Sequence, residues 1–180
     1  MIPLREALSS LGLSVTFAVA ILLVPERTGP GPLALMTAVA IVYGALFSPL
    51  IGKGPAAWGL LPALLAVPAI AATSYGHPGL SPLLGSLLLA LLAAASGTAA
   101  RALGPARTGL YGATMVLAIA LPYALHYLVQ EHGNKASAEG WLLVSPVAAA
   151  DPVAAGALPP LAAILALSAW PVWAIARRAL

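Results

Sequence analysis

The sequence predicts an all-α integral membrane protein, a bundle of about six transmembrane helices with both termini cytoplasmic and a long external loop before the last helix. Three observations predict it. Of 180 residues 61% are hydrophobic and only 7% charged, with a mean hydropathy of +0.99, whereas a soluble domain carries about 25% charged residues. The apolar residues gather into runs long enough to span a bilayer, which takes about 20 residues each. Gly and Pro, 17 of each, cluster in most of the breaks, where a helix must stop. The runs lack the alternation of a barrel strand, and in lipid a helix satisfies its own backbone, so the spans are read as helices.

The first span is expected near residues 8–24, behind Pro3 and Arg5 and closed by Pro25-Glu26-Arg27-Thr28-Gly29-Pro30. It lacks a small-x-small cleavage pattern and is read as a retained span rather than a signal peptide. The second covers about 33–51 and ends at the turn Gly52-Lys53-Gly54-Pro55. The third covers about 56–73 and the fourth about 82–103. The fifth, about 110–129, follows Gly104-Pro105-Ala106-Arg107, and the sixth covers about 158–175. All 180 residues then form one transmembrane domain, with no room for a separate soluble one.

Charge placement orients the bundle. An inside N-terminus puts Arg5, Lys53, Arg101, Arg107, Arg177 and Arg178 in the cytoplasm and only Arg27 and Lys135 outside. That asymmetry is what the positive-inside rule expects, and the richness in Ala, Gly, Pro and Arg suggests a GC-rich bacterial genome, so the expected location is a bacterial inner membrane. The scattered basic residues form no nucleic-acid-binding patch. Between the fifth and sixth spans lies an external stretch, about 130–157, polar from Glu131 to Gly140 and then apolar but too short to cross from Trp141 to Ala150, with a segment at about 139–156 singled out. Trp141 suits the headgroup level, and Ser145, Pro146 and Asp151-Pro152 interrupt the run, so it is expected to be interfacial or re-entrant.

Four groups of side chains are candidates for function. Tyr123, His126 and Tyr127 share one face near the outer end of the fifth span, behind Pro122. They form either a polar pocket for a quinone, lipid headgroup or proton, or an aromatic belt with His126 bonded to a neighbouring helix. Lys53, Arg101 and Arg107 either orient the chain and meet phosphate headgroups or dock an acidic cytoplasmic partner. Ser86, Ala90, Ala94 and Thr98 recur at every fourth position, with Gly97 adjacent, a spacing that lets helices approach closely within one chain or between subunits. Trp141, Ser145 and Pro146 mark the external segment. The histidines His77, His126 and His132 with Glu131 match no metal-ligand spacing, and the chain has no cysteine, so no metal and no cofactor are expected. No Asp, Glu, Lys or Arg falls in mid-span, which argues against a self-sufficient ion-coupled carrier. No acid–base pair, nucleophile constellation or phosphate-cradling loop appears, so no enzyme activity is expected.

The stretch from Arg107 through Pro122-Tyr123 to Trp141-Leu142-Leu143-Val144-Ser145-Pro146-Val147, followed by a Leu/Ala-rich last span ending Ala176-Arg177-Arg178, resembles the C-terminal part of ABC-2 type export permeases. The resemblance covers about the last 75 residues. It implies external re-entrant helices between spans five and six, self-association or a second permease as partner, and a separate cytoplasmic ATPase. The long cytoplasmic segment such permeases carry between spans two and three is reduced here to Gly52-Lys53-Gly54-Pro55. The alternative is a structural or accessory transmembrane subunit of a larger respiratory or photosynthetic complex, for which low charge and small-residue helix faces are equally suited.

Overall fold

The structure is a computed structural model and describes residues 31–47, 79–133, 140–142 and 144–179. The expected first and third spans, the end of the second, Lys53, His77 and the polar loop at 134–139 lie outside the described residues. Within them all regular structure is helical. Helix α1 (Gly31–Val42) runs on into a π-helical turn (Tyr43–Phe47). Then follow α2 (Leu80–Ala102), α3 (Pro105–His132), the single turn α4 (Ala150–Ala154) and α5 (Leu161–Ala179). Two of these, α2 and α3, are long and apolar enough to cross a membrane; the apolar stretches Leu33–Leu46 and Leu161–Arg177 are shorter.

The helix ends differ from the expected ones for local reasons. Pro105 occupies the first turn of α3, where its missing N–H costs nothing and its fixed φ suits a helix. The helix therefore starts five residues before the expected 110, and only Leu103 and Gly104 separate α2 from α3. Gly104 turns the chain at φ +100°, a conformation that disfavours any side chain. Pro122 and Pro171 lie inside α3 and α5, and neither ends its helix.

Helix α2 is the hub. It packs most extensively on α5 and also meets α1, the π-helical turn, α3 and α4. Its small residues make this possible. Gly44 in the π-helical turn sits so close to α2 that a Cβ there would lie 2.8 Å from the Ala94 backbone nitrogen and 3.2 Å from the Ala93 Cβ. Gly85 leaves the same kind of room for Val153 of α4. The core joins Ile41 and Ala45, Leu89, Ala93 and Ala100, Tyr111 and Met115, Ala149 and Val153, and Ala163 and Leu167. The described helices α1, α3, α4 and α5 thus all meet α2.

Hydroxyls on the helices bond locally. Thr37 donates to the Leu33 carbonyl at 2.7 Å, Thr114 to Tyr111 at 2.8 Å and Thr98 to Ala95 at 3.0 Å. Such back-bonding satisfies a polar group without a partner helix, which suits an apolar surrounding.

Candidate functional site

The chain from Trp141 to Ala154 returns to the bundle. Trp141 and Val144 are exposed. Ser145 and Pro146 are then buried, and a series of turns leads through Ala149 into α4, whose Val153 enters the core. The Ser145 hydroxyl donates to the Ile119 carbonyl of α3 at 3.4 Å. This contact falls beside the break in the α3 ladder. Pro122 has no N–H for the Ala118 carbonyl, and its ring crowds that turn. A serine from a neighbouring segment is one way such a loosened turn is re-satisfied in lipid. The segment expected to be interfacial or re-entrant thus packs inward against α1, α2 and the turn of α3 before Pro122.

Tyr123, His126 and Tyr127 lie just beyond Pro122 on α3. Tyr123 and Tyr127 are exposed, at 42% and 62%, and His126 is half-buried. The structure keeps the three on one helix, with Tyr123 and Tyr127 facing outward. Among the described residues no cluster of His, Asp and Glu could hold a metal ion.

The small-residue stripe of α2 faces the protein. Ser86, Ala90 and Ala94 are buried, Ala90 and Ala94 with Ala40 of α1, and Thr98 is half-buried. Around Ala90 to Ala94 it is covered by Ala40 of α1 and Gly44 of the π-helical turn, and Thr98 lines a groove with Pro171 and Ala174 of α5.

Three arginines lie where α2 ends, α3 begins and α5 ends. Arg101 is half-buried in the last turn of α2. Arg107 lies in the first turn of α3 and places its guanidinium 5.3 Å from the Trp173 ring centroid. Arg177 in α5 lies 5.4 Å from the same centroid. Trp173 in turn meets Trp170 edge-on at 5.2 Å, and Trp170 meets Tyr111 edge-on at 5.3 Å. This ladder ties α3 to the end of α5. Edge-to-face pairs at such distances are the favoured aromatic geometry, and a guanidinium within about 6 Å of an indole centroid is attracted by the ring quadrupole.

Sequence reasoning singles out Arg107 but not Trp170 or Trp173, and uses Arg177 only for orientation. The signal was there: Trp170, Trp173 and Arg177 are spaced i, i+3 and i+7, so they share one face of α5. The Tyr111 and Ser96 hydroxyls are both buried, Tyr111 turned toward Ser96, but the two do not reach full hydrogen-bond geometry.

By fold, then, the described residues make an all-helical unit with two helices able to cross a membrane by length and composition. No protein-family model, curated protein or solved structure matches the chain.

Proposed function

We propose that this chain is a non-catalytic, multi-pass subunit of the bacterial inner membrane, a permease-like component of an ABC-2 type exporter that works with a separate cytoplasmic ATPase. In this reading six spans run with both termini inside. The turns at Lys53 and Arg101 to Arg107 face the ATPase, and the segment from Trp141 to Ala150 closes the outer end. One observation carries it. The segment before the last long helix folds back into the bundle at Ser145 and Val153 instead of remaining a surface loop. That is the behaviour the resemblance to export permeases implies for the stretch between spans five and six.

A second reading, an accessory subunit of a respiratory or photosynthetic complex, is favoured by the outward side of α3. Leu110, Val116, Leu117, Leu121 and Leu128 there are all exposed, an apolar surface that suits lipid or the helix of a partner subunit. The test is gentle extraction from native membranes followed by mass spectrometry of what co-purifies. A stoichiometric ATPase, with nucleotide-dependent transport in vesicles of the complex, supports the exporter. Haem- or pigment-bearing subunits with no ATPase overturn it in favour of the accessory role.

A further inference from the structure

The corner where α3 begins and α5 ends combines three features beyond the aromatic packing that ties these helices together. The first is two cations on one ring. Arg107 and Arg177 come from different helices, yet both guanidiniums lie within 5.4 Å of the Trp173 centroid. Each guanidinium is attracted by the ring, and the two together concentrate positive charge that draws something negative. The second is that no negative group is described beside them. Among the described residues neither guanidinium pairs with a carboxylate. Of the described acids, Glu131 lies 24 residues further along α3, about 36 Å away at 1.5 Å per residue. Asp151 is on α4, whose Val153 packs on Gly85 near the start of α2, whereas Ile175 and Ala174, beside Arg177, line a cavity with Ala99 and Ala102 near its end. The third is an apolar groove of about 300 Å³ next to the ring, lined by Leu110, Ala169, Trp170 and Trp173. Leu110 is one turn along α3 from Arg107, so groove and charge adjoin.

We infer that this corner is a specific binding site for an anionic phospholipid. The phosphate sits between Arg107 and Arg177, and an acyl chain lies along the groove of Leu110, Ala169, Trp170 and Trp173. The charge selects an anion, and the guanidinium fork suits phosphate oxygens better than an ammonium does. The groove selects a ligand with a hydrocarbon tail over free phosphate. An indole at the boundary between apolar body and charged head is the usual place for tryptophan at a membrane interface, and basic pockets between helices are where anionic headgroups bind. The inference rests on the chain lying in a bilayer and is independent of any ATPase.

The experiment uses the full-length chain purified in detergent, with bound lipid counted by native mass spectrometry after adding phosphatidylglycerol or phosphatidylcholine of matched chains. The wild type should retain phosphatidylglycerol in clear preference. Each arginine near a membrane surface is worth about fivefold in affinity for anionic lipid. Arg177→Gln, at an exposed side chain, should therefore weaken the preference about fivefold, and Arg107→Gln with Arg177→Gln about 25-fold. Trp173→Leu should weaken retention of either lipid. Equal retention of the two lipids by the wild type, or an unchanged preference in Arg177→Gln and in the double variant, overturns the site. Displacement of the lipid by millimolar inorganic phosphate also overturns it, because the groove then adds nothing. Membranes washed in alkaline carbonate separate the premises. Release of the chain overturns both bilayer placement and site, while retention with no lipid preference overturns the site alone.

Discussion

Helices α2 and α3 are adjacent, joined by two residues, and nearly equal in mean hydropathy at 1.9 and 1.6, yet 44% of the most apolar window of α2 is buried against 11% for α3. Hydropathy does not decide which helix goes inside. Side-chain size does. The buried face of α2 is made of Gly85, Ser86, Ala90, Ala93, Ala94 and Gly97 together with Leu89. Such residues let α1, α4 and α5 approach its backbone. Helix α3 buries only a narrow line, Tyr111, Met115 and Pro122, and turns large side chains outward. Between lipid and helix there is little hydrophobic driving force, so close packing is what selects partners in a bilayer. In that setting α2 is built to be touched by protein and α3 by lipid.

The sharpest way to break this contrast is a charge on the outward face of α3. Leu117 is 58% exposed and lies near the middle of the helix. If that face meets lipid, Leu117→Lys should cost about 3 kcal/mol of insertion free energy, as for a lysine at the centre of a span. A glycosylation-reporter assay of membrane insertion measures it. Insertion unchanged from wild type would mean that the face meets water, and the division of roles between the helices would fall.

Next comes a matched pair of truncations. Leu89 on α2 is fully buried and Leu117 is not. Leu89→Ala should lower stability by about 2 kcal/mol, toward the low end for buried leucines. The reason is that the cost in lipid is lost packing more than transfer from water. Leu117→Ala should stay within about 0.5 kcal/mol. Denaturation in mixed micelles reads both. Equal losses would mean that α3 is covered as thoroughly as α2.

How much of this was legible before the structure follows the same division. The all-helical class rests on hydropathy, and helices α2, α3 and α5 overlap three of the expected runs, with α3 starting five residues early. The α2 stripe was visible as a spacing, but spacing cannot name the helix that fills it. That depended on Gly44, whose meaning is a distance to another backbone. The early start of α3 was readable, since a proline after a Gly-bearing turn is a helix-start signal, and it is what places Arg107 on a helix instead of in a loop. The Trp170, Trp173 and Arg177 face was also readable from period alone. What could not be read was that Arg107, 66 residues before Trp173 in the chain, shares the same ring. The same limit applies to Ser145, whose partner at Ile119 is 26 residues away. Contacts of long sequence separation are set by how helices pair, and local pattern carries no record of that pairing.

A smaller effect probes the seam at Pro122. Ser145 is buried, and its hydroxyl reaches the Ile119 carbonyl at 3.4 Å, a long hydrogen bond. Ser145→Ala should therefore cost about 1 kcal/mol or less. Pro122→Ala restores an N–H for the Ala118 carbonyl and tightens that turn of α3. If the serine compensates for the proline, its loss should cost less in a Pro122→Ala background, and a double-mutant cycle reads the difference. Additive losses would show that the contact and the bend are independent.

The smallest expected effect concerns Tyr111, the one large polar side chain that α3 commits to the core. Its ring is 1% exposed and meets Trp170 edge-on at 5.3 Å, while its hydroxyl completes no hydrogen bond among the described residues. The ring and the hydroxyl thus make opposite contributions. Removing an unsatisfied buried hydroxyl costs nothing in hydrogen bonding and relieves a desolvation penalty, so Tyr111→Phe should be neutral or slightly stabilising, within about 0.5 kcal/mol. Tyr111→Leu, which also removes the aromatic pair, should be less stable than Tyr111→Phe by about 1 kcal/mol. Thermal unfolding of the two variants in one detergent gives the comparison directly. A loss of 1 kcal/mol or more in Tyr111→Phe would mean that the hydroxyl does have a partner, through Ser96 or a residue beyond the described ones. The contact between α3 and the core would then be polar as well as aromatic, and the narrow line that holds α3 to α2 would be stronger than its burial implies.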